Sequence, residues 1–239
     1  MRPWLRITML CVAGCFAGPA AATLQQRETI AIDGDTAELR VYPLAAWVEQ
    51  HPGVIPDEIY STNRFRGYVG HWMLVDGRLE LARIDVMFNG PSKRMWMLVC
   101  TDLEFENCKK TRTSMPMFED RDILPTLFPG HTRVVADWYS GTLVIERGPS
   151  AEFVGYADTS LTERCTLVFI DHGRETKRYD FDARQFDRYR LARFRQYQLT
   201  PEYAQKMREL AGRGWEKADA EENLYGDELQ AYISLAPDS

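Results

Sequence analysis

Glycine-bearing turn sequences recur along the chain between runs of alternating apolar and polar residues: Asp33-Gly34, Asp76-Gly77, Ser140-Gly141 and Asp171-His172-Gly173. Glycine and aspartate tolerate the positive φ of a tight hairpin turn, so each such turn predicts two antiparallel strands. Residues 28–32 and 37–42 flank the first turn, and 68–75 and 78–88 the second. Residues 132–138 and 142–146 flank the third, and 165–170 and 176–181 the last. A chain punctuated this way is committed to an antiparallel sheet over most of its length.

Finer detail follows from phase and from helix signals. Tyr68, Gly70, Trp72 and Leu74 share one strand face, and the alternation changes phase across Leu81-Ala82, which predicts a bulge there. Residues 95–100 read as a further apolar strand, while 109–130, with Pro116, Pro125 and Pro129, read as irregular loop. Trp72 ahead of Asp76-Gly77 and Trp138 ahead of Ser140-Gly141 suggest a duplicated hairpin. Pro43 opens a short helix over 44–50 that Pro52 stops. Helix takes over at 182–197, which lacks glycine and proline; Thr200 then caps a second helix with Pro201 at its first position, running to 210–211. A weaker helix follows over 215–232. The expected fold is α+β: a curved antiparallel sheet or partly open barrel with C-terminal helices packed on it. Residues 23–182 form the β-rich body and 183–239 the helical part of the same domain.

The N-terminus has the layout of an export signal. Arg2 and Arg6 precede an apolar stretch at 7–17, Gly18-Pro19 ends any helix, and Ala20-Ala21-Ala22 offers small residues for cleavage. Cleavage after Ala22, removing 1–22, leaves a chain starting at Thr23. The run Val12-Ala13-Gly14-Cys15 also matches a bacterial lipobox, in which 1–14 is removed and Cys15 is lipidated. Both routes predict an exported protein, either periplasmic or anchored at the outer membrane through Cys15.

Charge and cysteines narrow the classes further. The 239-residue chain carries a formal charge of −6, and loss of Arg2 and Arg6 with the leader takes it to −8. That balance argues against a general nucleic-acid binder and against a membrane contact other than through a lipid on Cys15, while leaving room for a local basic patch. Cys100 and Cys108 bracket a short polar segment, a spacing compatible with a disulfide in an oxidising compartment, worth about 2 to 3 kcal/mol. Cys165, inside an apolar strand, reads as a buried free thiol.

Two blocks resemble a known group. Residues 61–72, Ser-Thr-Asn-Arg-Phe-Arg-Gly-Tyr-Val-Gly-His-Trp, followed by Asp76-Gly77, resemble a block of small bacterial proteins of unknown function. Leu127-Phe128-Pro129 and the later run Ala136-Asp137-Trp138-Tyr139-Ser140-Gly141-Thr142-Leu143 resemble that group's second block, and the start of the helix at 200–203 resembles its C-terminal part. Phe65 stands where the group more often has tryptophan, and the Cys100–Cys108 region is an addition to its pattern. The group has no established activity, so the resemblance implies a fold and supplies no catalytic residue.

No phosphate-binding glycine loop, nucleophile elbow or zinc-protease helix occurs. The sequence names no cofactor, no metal site and no catalytic residue. The candidate binding residues are Arg66, Tyr68, His71 and Trp72 from the first block and Asp137, Trp138 and Tyr139 from the second. If the two segments are neighbours, they place an acid, an arginine and aromatic rings in one groove suited to a sugar or peptide. The competing reading makes Trp72 and Trp138 core residues, with Arg66 and Asp137 paired. The arginine-rich helix, with Arg184, Arg188, Arg190, Arg193 and Arg195, reads as a solvated surface over an aromatic inner stripe. The functional expectation is a non-enzymatic binding or interaction module of the bacterial envelope, whose partner is an envelope protein or small ligand. The alternative is a periplasmic hydrolase acting on a glycan or peptide.

Overall fold

Alternation along the first strand sets the architecture. In β1 (Glu28–Ile32) the side chains of Glu28, Ile30 and Ile32 are buried, while Thr29 and Ala31 face the other way. The computed structural model describes residues 26–56, 63–100, 108–151 and 161–234. The expected leader, with Cys15 and both expected cleavage points, lies outside those residues. Asp33 and Gly34 take positive φ of 54° and 86° and turn β1 into β2 (Asp35–Leu39). Helix α1 (Ala45–Gln50) follows. β3 (Tyr68–Val75) then lies parallel to β1 with Trp72 opposite Ile30, and turns at Asp76-Gly77 into β4 (Arg78–Cys100). The register between β3 and β4 slips where Leu81 pairs with Trp72 and Arg83 with His71, leaving Ala82 as the bulge that the phase change predicted.

The remaining strands close the sheet on itself. β5 (Cys108–Asp122) runs back along β4; α2 (Leu124–Leu127) and the two-residue β6 (Val134–Val135) come next. β7 (Gly141–Ala151) joins β2 to β8 (Leu161–Asp171), and β8 turns into β9 (Arg174–Asp182). The order is β3-β1-β2-β7-β8-β9-β4, with β4 pairing back to β3, so the fold is α+β: a curved, ring-like sheet with C-terminal helices packed against it. The contact of β4 with β9 is a single pair, Arg78 with Arg174. Inside the ring Ile30, Leu39, Leu79, Leu81, Ile84, Leu143, Ile145 and Leu167 are fully buried. Burying such side chains contributes about 1.5–3 kcal/mol each.

Three expectations need correction. Residues 109–122 are not loop but β5, because β4 continues twelve residues past Phe88, up to Cys100, and offers them an antiparallel partner; Pro116 falls where the register slips between Gly90 and Lys93. The Ser140-Gly141 turn does not join a hairpin: β6 pairs with β4, and β7 goes to β2 and β8. The duplicated hairpin therefore does not exist, since only the β3–β4 half forms one. Instead, Gly173 (φ +73°) takes the close approach to the second block: a Cβ there would lie 2.7 Å from the carbonyl oxygen of Ala136.

The helices cover the outside of the ring. α3 (Ala183–Tyr197) starts at a capping box in which Asp182 Oδ1 accepts from the Gln185 amide at 2.8 Å and Gln185 Oε1 accepts from the Asp182 amide at 3.0 Å. It packs on β8 and β9, with Phe186 and Tyr189 against Phe181, while Phe194 and Tyr197 meet Tyr203 and Tyr232 of the later helices; against the reading of a solvated helix, it also buries Arg190 and Arg193. Arg190 is accommodated because Nε donates to Tyr232 Oη at 2.9 Å and Nη2 to the Tyr225 carbonyl at 2.6 Å. α4 (Pro201–Gly212) starts at the Thr200 cap as expected. The last helical stretch divides at Glu228 into α5 (Lys217–Asp227) and α6 (Leu229–Ile233), and α6 packs on α3 and β7.

Candidate functional site

The two sequence blocks do meet, but as core. Trp72 is 2% exposed, and its ring lies 6.5 Å from that of half-buried Trp138. Trp138 stacks within 9° of parallel on Phe128 and donates its indole proton to the Pro43 carbonyl at 3.3 Å. Tyr68 and Tyr139 are buried too, and Tyr139 Oη accepts from Gln230 of α6 at 3.3 Å. Arg66 and Asp137 are exposed and do not pair with each other. The Arg66 guanidinium lies 3.2 Å from the centre of the Tyr42 ring, and Asp137 offers its backbone carbonyl to His172 Nδ1 at 3.3 Å. The arginine and the acid thus turn to separate partners while the aromatics fill the interior.

Inside that cluster lies a residue that sequence reasoning missed. Glu28 is 1% exposed, and its Oε2 accepts from the Trp72 indole at 2.5 Å. Burial pushes its pKa up to about 8, against the pull of the Trp72 hydrogen bond and the Arg66 charge, so the carboxyl is neutral at pH 7. Its Oε1 has no hydrogen-bond partner among the described residues. Gly70 makes the room: a Cβ there would meet Glu28 Oε2 at 2.8 Å and Trp72 Nε1 at 3.0 Å. The signal was present in the period-two pattern, which sets Glu28 on the same face as Ile30 and Ile32.

On the opposite face of these strands His71 is half-buried between two side chains. Its Nδ1 lies 2.9 Å from Thr29 Oγ1, and its Nε2 lies 2.9 Å from Asp85 Oδ2. Arg83 Nε donates to the other oxygen of Asp85 at 2.6 Å. A hydroxyl, an imidazole and a carboxylate in line are the parts of a nucleophile relay. Thr29 and His71 are neighbours only because β1 and β3 run parallel, a long-range pairing that no local turn announces.

The most exposed apolar surface lies elsewhere, on the far part of β4 and β5. Beyond Gly90 these strands pair only with each other among the described residues, forming a two-stranded arm. Met95, Trp96, Met97, Leu98, Val99 and Phe118 are all exposed, Trp96 by 61% and Leu98 by 65%. The strand alternation puts Trp96 and Leu98 on one face with Arg112 and Lys110 opposite them; Met95, Met97 and Val99 lie on the other face opposite Thr113, Thr111 and Lys109. Lys110 and Arg112 stand 5.6 and 6.0 Å from the Trp96 ring. At its base the arm is held by buried Arg64, which donates to Asp120 Oδ1 at 2.5 Å and to Gln26 Oε1 at 2.7 Å. That hydrogen bond holds the Asp120 carboxyl below the usual carboxylate range. Cys100 and Cys108 face each other at the far end of the described ladder.

The chain matches no family model, no curated protein and no solved structure. The resemblance of the two blocks to a bacterial group therefore rests on those residues alone. Among the described residues no group of His, Cys, Asp and Glu is placed to hold a metal ion, and no helix is long and apolar enough to cross a membrane. An aromatic groove of about 430 Å³ lies between β8, β9 and α3, lined by Phe169, Tyr179, Phe181 and Tyr189 with Lys177 at its rim.

Proposed function

We propose that this protein is an exported, non-enzymatic interaction module of the bacterial envelope, and that the β4–β5 arm is its working surface. The observation that carries this reading is the run of exposed apolar side chains from Met95 to Val99, on the part of β4 beyond Gly90, which contributes nothing to the ring's core. Apolar surface held in water is unfavourable, and an open strand edge invites unwanted pairing, so a patch of this kind marks a contact surface. The body supplies a rigid base, tied to the arm through Arg64 and Asp120. The expected leader and the facing Cys100 and Cys108 fit an oxidising compartment, where a disulfide would staple the arm.

The test is substitution on the arm alone. Trp96→Ser with Leu98→Ser leaves the core untouched, so the melting temperature stays that of the parent protein while association with the envelope fraction is lost. Retained association would contradict the reading.

The Thr29–His71–Asp85 arrangement supports a second reading, a hydrolase. Against it, both Thr29 and His71 sit inside a paired ladder, where backbone amides are engaged with neighbouring strands and not free to form an oxyanion hole. Loss of an esterase or peptidase activity in His71→Ala, with no change in envelope association, would favour the hydrolase.

A further inference from the structure

We infer that the β4–β5 arm docks on an anionic lipid surface, lying in the headgroup layer; this rests on the arm being the working surface. Its charge is unlike that of the rest of the chain. The paired strands, Asn89 to Val99 and Lys109 to Phe118, carry Lys93, Arg94, Lys109, Lys110 and Arg112 and no acid, in a protein whose formal charge is −6; the three acids of the hairpin, Asp102, Glu104 and Glu106, fall in the segment that joins the two strands. All of these cations are exposed. An anionic surface is the partner that this charge complements.

The distribution of apolar groups selects lipid over protein. A protein partner laid against one face of the ribbon would leave the apolar side chains of the other face in water. Here both faces carry apolar side chains, Trp96 and Leu98 on one and Met95, Met97 and Val99 on the other, and all are exposed. A ribbon apolar on both faces is satisfied by a medium that surrounds it. Tryptophan favours the membrane–water boundary, and lysine and arginine stems reach from that level to the phosphates. The cations are interleaved with the apolar residues along the ladder, Lys110 beside Leu98 and Arg112 beside Trp96. That band suits an arm lying lengthwise. Depth is limited by the backbone: beyond Gly90 the outer edges of β4 and β5 lack strand partners among the described residues, and unpaired amides cannot enter hydrocarbon. The described arm from Gly90 to Val99 is roughly 30 Å long, enough to lie across several headgroups.

The experiment is flotation of the purified chain starting at Thr23, which has no lipid of its own, with two kinds of vesicle. One holds phosphatidylglycerol and phosphatidylcholine in equal parts, the other phosphatidylcholine alone. The expected result is binding to the first, weakened by added salt, and little to the second. Lys109→Gln, Lys110→Gln and Arg112→Gln together should weaken binding on the order of a hundred-fold. Trp96→Ser with Leu98→Ser should abolish the salt-resistant remainder, and circular dichroism should show both variants folded. Equal binding by the parent and both arm variants would overturn the inference. So would failure to bind anionic vesicles; if the arm variants still lost envelope association, the partner would be an acidic protein and the interaction-module reading would stand. If association were also unchanged, both would fall.

Discussion

Trp72 donates its indole proton to a carboxyl oxygen of Glu28 at 2.5 Å inside the ring, and that contact joins the first strand to the third in a place water does not reach. The pair explains why a glycine stands at position 70 and why an acid is tolerated on a face otherwise made of isoleucines. A neutral carboxyl can accept from the indole and keep its own proton; an ionised one would be a buried charge with no cation in contact.

Stability should therefore fall with rising pH over a defined window. The Glu28 pKa is raised from 4.5 to about 8 in the folded state. Below 4.5 both states hold the proton and the group costs nothing. Between those values the native state keeps a proton that the unfolded chain has released, so stability drops, and the loss levels off above about 8. Denaturant titrations of the parent and Glu28→Gln should diverge across that window by on the order of 3–5 kcal/mol, the variant being flat in this range. Parallel curves would contradict the assignment.

Arg190 should be worth far more than a surface arginine. It is 1% exposed, lies 4.0 Å from the Tyr225 ring centre and donates to Tyr232 Oη and the Tyr225 carbonyl. Arg190→Ala removes the donors that tie α3 to α5 and α6, leaving the Tyr225 carbonyl without that partner. Chemical denaturation should show a loss of about 2–4 kcal/mol, against less than about 0.5 for exposed Arg188→Ala.

The cysteines give a prediction that needs only a thiol reagent. Cys165 is buried, and burial pushes its thiol well above the usual range, so it should not react in the native protein. If Cys100 and Cys108 are joined, the unfolded, unreduced chain starting at Thr23 should show a single reactive thiol. Three would rule the disulfide out. Reduction should then cost about 2 to 3 kcal/mol at most, since the loop closed is short.

Turns were legible because their chemistry is local. Asp33-Gly34, Asp76-Gly77 and the His172-Gly173 turn each adopt the positive φ their residues favour, and Thr200-Pro201 caps its helix as written. Long-range pairing was not. Nothing near Ser140-Gly141 tells the chain that 134–135 will join β4 while 141 onward joins β8, and Pro116 hid a strand whose partner is supplied by the extended β4. The sequence left two settings open for the candidate residues, groove or core; the aromatics Tyr68, Trp72, Trp138 and Tyr139 lie in the core, while Arg66 and Asp137 stay exposed. Aromatic residues suit a groove and a core equally, and burial decides between them. Glu28 and the arm were both readable, one from strand alternation and the other from the apolar run 95–99 and the cations at 93–94 and 109–112, but each needed a partner strand to give it meaning.

The central claim is that the arm, and not exposure in general, makes the contact. Photo-crosslinking amino acids placed singly at Trp96, Leu98 and Leu199 in the living source cell test it directly, because Leu199 is 88% exposed yet lies between α3 and α4, away from the arm. The account predicts crosslinks to lipid or an envelope partner from Trp96 and Leu98 and none above background from Leu199. Equal crosslinking from Leu199, or silence from both arm positions, would contradict it.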